Sequence, residues 1–293
     1  MAIARTLEDF GGWEGLTPAE RKWIEELDTG EVCDFSEEHS LLARRDEANE
    51  DERALLARLE STPKKDWKPW EVAALDRPVA AASDEVEIRG ALIRAVHVAG
   101  GIAEGEKLRR LHEKGVMIRG ARITGPLDLQ GTETERDISL FNCVIEERPN
   151  LRGAKTGGLY LNGSRLASGL GAELLVTVRG DVSLREAEVT GEVRLLGAWI
   201  GGDLSCTGAT LTQVGGYALS CDGMEATGAV FLLRAEATGE VRLLGVRIGA
   251  DLACNGATLK NPGDDALSGD GMRVTGGVFL RRDGRKNVAI EGA

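Results

Sequence analysis

From Val116 onward the apolar residues come in pairs with a single residue between them: Val116-x-Ile118, Leu127-x-Leu129, Ile138-x-Leu140. The pairs recur at about 11 residues and continue as Leu159-x-Leu161, Val182-x-Leu184, Val193-x-Leu195 and Leu204-x-Cys206. Between them run pairs with a small first member, Ala187-x-Val189, Ala198-x-Ile200 and Ala209-x-Leu211. A pair that alternates in, out, in is a very short strand. Gly191, Gly197, Gly201 and Gly208 stand between strands, where the chain must turn and a positive φ is available. Four such strands and four corners use about 22 residues, which predicts one square coil of a solenoid.

The same pattern is written twice. Residues 190–234 return almost letter for letter as 238–282, so a 48-residue offset holds three units of the short spacing and one longer unit. The longer unit contains TQVGGY (212–217) in the first copy and KNPGDD (260–265) in the second. Both are turn-rich and predict loops leaving the same side, two coils apart.

Before Val116 the period is helical. Thr17, Pro18 and Glu20 make a capped helix start, with Trp23, Ile24 and Leu27 on one face and Gly30 as a stop. A second helix is expected over 36–61 with a break near Glu50. Ser83 is expected to cap a third that reaches Gly100, with Val86, Leu92, Ile93 and Val96 inward and His97 beside them as a satisfied core histidine. A last short helix is expected over 105–114, ended by Gly115, and the helices over 86–112 are expected to cap the solenoid. Trp67 and Trp70 flank Pro69 and are read as packing at the junction, with a ligand or peptide platform as the alternative. The division is therefore 1–112, acidic and helical, and 113–293, the solenoid.

Composition fits this picture. Among 293 residues only 4% are aromatic and 39 are Gly, so small aliphatic side chains must fill the core. The net charge of −12 is uneven: residues 1–112 carry about nine of the excess negatives and the rest about three. That profile excludes general nucleic-acid binding, which needs a basic footprint. The five cysteines show no CxxC, and His39, His97 and His112 all precede the repeats, so neither a metal site nor any other cofactor is expected. The opening MAIARTLEDFGGWEG has no apolar h-region and no run is long enough to span a bilayer, so a cytoplasmic location without a membrane segment is expected.

Few side chains in the repeats suggest contact with a partner. Phe231 and Phe279 are equivalent and outward, as are Arg194 and Arg242 on another face beside Glu192 and Glu240, while Tyr217 closes the first inserted loop. Cys206 and Cys254 are equivalent and inward, and read as small buried hydrophobes. Asp264 and Asp265 sit in a turn. There is no Ser-His-Asp arrangement, HExxH or Walker loop, so no catalytic constellation is read. The repeats stop in the middle of a coil, and an open strand edge invites pairing, so an end-to-end homodimer through the C-terminal coil is one expectation.

GGDLS (201–205) and GADLA (249–253), with the looser GPLDL (125–129) and GEVRL (191–195), resemble the pentapeptide-repeat family. The resemblance covers residues 115–293 and implies a right-handed quadrilateral β-helix. The stretch is also similar to actinobacterial repeat proteins labelled membrane-associated oxidoreductases, although it carries no GxGxxG, flavin or haem motif. The expected fold class is mainly β: a right-handed quadrilateral β-solenoid preceded by an α-helical N-terminal domain. The expected function is a non-enzymatic scaffold that binds a protein partner through Phe231, Phe279, Arg194, Arg242, Tyr217, Trp67 and Trp70. The alternatives are a DNA-mimic inhibitor, as the family resemblance implies, a sensor or regulatory part of a larger membrane-tethered or host-defence protein, and an enzyme with its site around Trp67, Trp70 and His112.

Overall fold

Each apolar pair stacks on the pair one coil away, and in-register parallel pairing does the stacking. A computed structural model of the chain describes residues 6–171, 176–283 and 288–292. The first ladder aligns Val116, Ile138, Leu159, Val182, Leu204, Val230, Leu252 and Val278, in steps of 21 to 26 residues. The second aligns Ile123, Ile145, Leu166, Val189, Leu211, Ala237, Leu259 and Ile290. Leu170, Val193, Leu219, Val241 and Leu267 form the third. Thr156, Val178, Ile200, Ala226, Ile248 and Val274 form the fourth. The result is a β-solenoid of about seven turns.

The 48-residue offset is two coils, one of 22 residues and one of 26, as the steps from Val230 to Leu252 and from Leu204 to Val230 show. The extra residues are where the sequence put them. Thr212 and Leu219 span seven positions while their partners Thr238 and Val241 span three. Two coils on from the first insertion, the chain makes the same detour between Lys260 and Leu267, which pair with Thr238 and Val241.

The corners have two different physical causes. Gly208 adopts φ +68°, the left-handed region that glycine enters without penalty. At Gly201 φ is ordinary, and a Cβ there would fall on the carbonyl oxygen of Arg179 in the neighbouring coil. The Asp of GGDLS and GADLA acts at this second kind of corner. Asp203 Oδ1 accepts the Ala229 N–H at 2.7 Å and Asp251 Oδ1 the Gly277 N–H at 2.8 Å. A side chain at Gly228 or Gly276 would collide with those same carboxylates, so Asp on one coil requires Gly on the next.

The N-terminal third supplies α1 (Pro18–Glu25), α2 (Ser36–His39), α3 (Glu50–Ser61), α4 (Pro69–Ala74), α5 (Ser83–Val86) and α6 (Gly90–Ala99). Thr17 and Glu20 form the expected capping box on α1. Buried Glu20 also accepts Arg89 Nε and Nη2, each at 2.8 Å, which locks α1 to the strand beside it. The break expected near Glu50 is present: the helix stops at His39 and α3 starts at Glu50, where Asn49 caps it. Two expectations are corrected. The 83–100 helix is interrupted by a strand, Glu87–Arg89, that pairs with Arg122–Thr124 and starts the second ladder; the Ser83 side chain lies outside the described residues. Residues 105–114 are not helical. Strands Gly101–Glu104 and Lys107–Arg110 form an antiparallel hairpin turning at Gly105, φ +58°. A helix there would need Leu108 and Leu111 on one face, but Leu111 is buried and Leu108 is exposed.

Strand Cys33–Asp34 pairs with Ile118–Arg119 and starts the first ladder. With Glu87–Arg89 and the buried Leu92, Ile93 and Val96 of α6, it covers this end of the solenoid. One apolar cluster runs unbroken from Leu7 to Ala266, so helices and coils share a core. Residues 68–77 then run lengthwise over the coils. Lys68 Nζ meets Glu236 at 2.8 Å, Arg77 Nε donates to the Gly163 carbonyl at 2.8 Å, and Asn142 Nδ2 donates to Asp76 at 3.3 Å.

Candidate interaction surface

Arg194 and Arg242 share one outward column of the third ladder, with Ser220 between them. Arg242 Nε meets Asp222 at 2.8 Å, its Nη1 donates to the Tyr217 hydroxyl at 2.9 Å, and its guanidinium lies 5.0 Å from the centre of the Tyr217 ring. Tyr217 is thereby fixed at the foot of the first insertion while its side remains in solvent. Beside it stands Val214, 78% exposed, the most exposed large hydrophobic among the described residues. Sequence reasoning named Tyr217 and passed over Val214, although a lone β-branched residue in a Gly-rich loop was the available signal.

Phe231 and Phe279 lie on the first ladder, in a column that reads Ser205, Phe231, Ala253, Phe279. They are aligned and outward as expected, and only half-buried. The Phe279 ring folds over Gly277, and the Arg281 guanidinium lies 4.7 Å above it. These rings are therefore on a different face from Tyr217 and Arg242.

Trp67 and Trp70 belong to the helical segment. Trp67 Nε1 donates to the Leu59 and Thr62 carbonyls at 3.1 and 2.9 Å and so closes the C-terminus of α3. Trp70 lines a cavity against the second ladder. His112 packs against Gly30, away from both, so the three residues of the enzyme alternative are not brought together.

Outward charges on the coils pair across rungs. Arg122 meets Glu146 at 2.7 Å, Lys155 meets Glu133 at 3.3 Å and Arg247 meets Glu225 at 2.6 Å. The nucleophiles are withdrawn instead. All five cysteines are buried and unbridged. Burial pushes the Cys143 and Cys206 thiols up to about 12 and that of Cys254 to about 11, so they remain protonated and inert. Cys206 and Cys254 face the core with Leu232 on the rung between them. His97 is buried as expected but unsatisfied, since neither ring nitrogen has a hydrogen-bond partner.

Among the described residues no group of His, Cys, Asp and Glu is placed to hold a metal ion, and no helix is long and apolar enough to cross a membrane. Comparison with protein-family models, curated proteins and solved structures returns no match to the chain.

Proposed function

We propose that the chain is a non-enzymatic interaction scaffold that holds the face bearing its two insertions against a partner protein. The observation that carries this reading is the pair Val214 and Tyr217, 78% and 38% exposed, standing on a single insertion whose two ends are both paired into the ladder. Aromatic and Arg side chains dominate binding energy at interfaces. A residue already clamped, as Tyr217 is by Arg242, gives up little freedom on docking. The rungs hold the second insertion two coils away, at about 4.8 Å per coil, with its tip tied by Asn261 Nδ2 donating to the Asp265 carbonyl at 2.8 Å.

The kinship with pentapeptide-repeat proteins belongs to the same proposal, and the backbone-capping role of Asp203 and Asp251 in GGDLS and GADLA supports it. A DNA mimic would need a continuous negative face. The alternation of acid and base from rung to rung counts against that alternative.

The test is affinity capture from the native cell with the wild-type chain and with a Val214→Asp, Tyr217→Ala variant. A protein retained by the first and lost by the second is the expected result. Identical captures from both would overturn the assignment of this face.

A further inference from the structure

Both insertions leave the corner between the second and third ladders, and this corner is acidic. Glu192 lies between Thr190 and Val193, which pair with Thr212 and Leu219 at the two ends of the first insertion. Glu240 lies between Thr238 and Val241, which pair with the same two residues from the next coil. The first insertion is therefore flanked by one glutamate a coil before it and another a coil after, each rung about 4.8 Å away. Tyr217 is itself the register partner of Glu240. The second insertion leaves the coil after Glu240 and carries the exposed Asp264 and Asp265.

The cations of this corner are already taken. Arg242 meets Asp222 at 2.8 Å and Lys260 meets Glu291 at 3.0 Å, and Arg194 is engaged as well. Among the described residues, none of Glu192, Glu240, Asp264 and Asp265 forms a salt bridge. On the flat faces outward acids are matched instead, as Glu146 is by Arg122 and Glu225 by Arg247. A partner that covers Val214 and Tyr217 draws the flanking carboxylates out of water. A carboxylate that loses hydration without gaining a cation is strongly unfavourable. A neutral or acidic surface meets that cost, and a nucleic acid or an anionic membrane is repelled. A basic surface turns the same groups into charge-assisted hydrogen bonds.

We infer that the partner of this face is a basic protein surface, with an apolar recess for Val214 and Tyr217. Lysine or arginine side chains around the recess meet Glu192, Glu240, Asp264 and Asp265. This holds on the reading that the insertions dock a partner, and it adds what that partner presents. Opposite charge also raises the rate of encounter, and salt suppresses it.

The experiment uses the full chain and two short peptides with the same Leu-Leu centre, one flanked by lysines and the other by serines. Amide NMR of the chain is expected to place the lysine peptide at Val214, Tyr217, Glu240 and Asp264. It should bind about tenfold or more tightly than the serine peptide, and about 0.5 M salt should remove most of that difference. The charge variant is Glu192→Gln, Glu240→Gln, Asp264→Asn, Asp265→Asn. Asp264 Oδ1 accepts the Asp265 N–H at 2.8 Å, an acceptor that asparagine retains. This variant is expected to bind both peptides alike. The inference is overturned by equal binding of the two peptides to the wild type, or by no binding at about 10 mM peptide. It is equally overturned by shifts from the lysine peptide confined to the acidic helices, or by an undiminished preference in the folded charge variant. Capture from the native cell separates this result from the docking role itself. A protein lost with Val214→Asp, Tyr217→Ala but retained in full by the charge variant leaves the docking face standing and removes its basic partner. Identical captures from the wild type and from Val214→Asp, Tyr217→Ala remove the docking face.

Discussion

His97 is the residue at which burial and protonation conflict most directly. It sits on α6 at 0% exposure with both ring nitrogens unpartnered, and desolvation, with a smaller push from the Arg136 charge, lowers its pKa from 6.5 to about 4. The unfolded chain therefore binds a proton between these values that the folded chain refuses. Stability contributed by this group is complete above pH 6.5 and is lost as the pH falls toward 4. Between pH 7 and pH 5 the loss is about 2 kcal/mol. Chemical denaturation of the wild type and of His97→Leu, at both pH values, checks this. The wild type should lose stability on acidification and the variant should lose markedly less. Parallel pH profiles would show that His97 is neutral for some other reason or not buried.

At the scale of the element, the unit is the contact between an Asp on one coil and a Gly on the next. Gly228→Ala would drive a Cβ into Asp203 Oδ1 and toward the Gly202 carbonyl, in a rung that cannot shift without moving its neighbours. A loss of about 1–3 kcal/mol is expected, as for overpacking elsewhere. Asp203→Ala should cost about 1 kcal/mol or more through the uncapped Ala229 N–H, and the double variant should lose less than the two single losses combined. Denaturation of all four chains measures the coupling, and simple additivity would dismiss the contact. Such dependence between coils explains which elements were legible. The in, out, in pairs gave the strands because each buries its own side chains, and comparing the two copies located both insertions. The hairpin at 101–110 was missed because Leu108 and Leu111 satisfy a helical spacing while only one of them is buried. Tyr217 was named from the loop chemistry. Its partner Arg242, and Asp222 beneath, come from different rungs, so their meeting follows from register and is invisible in sequence spacing.

Across the described coils, the first and last rungs are physically unlike. At the first coils, Ile88, Val116 and Ile123 are fully buried under α6 and the strands before it. On the last described rung the equivalent inward residues Val278, Leu280 and Ile290 are 51%, 50% and 45% exposed. In a repeat array each coil is held by its neighbours, so a rung covered on one side opens at lower free energy than one covered on both. Pairing direction makes this measurable at particular amides. Leu252 and Cys254 donate to the Gly277 and Phe279 carbonyls on the last rung, at 2.9 and 2.8 Å. Val182 and Leu184 donate to Asp203 and Ser205 in the interior, at 2.9 and 2.7 Å. The bonds match in length, so local geometry predicts equal protection while position predicts a gradient. Native-state hydrogen exchange should find the Leu252 and Cys254 amides about tenfold or more faster than those of Val182 and Leu184. Rates agreeing within about threefold would mean that the shared core running from Leu7 to Ala266 opens only as one unit. The capped end would then stabilise every rung rather than its neighbours alone.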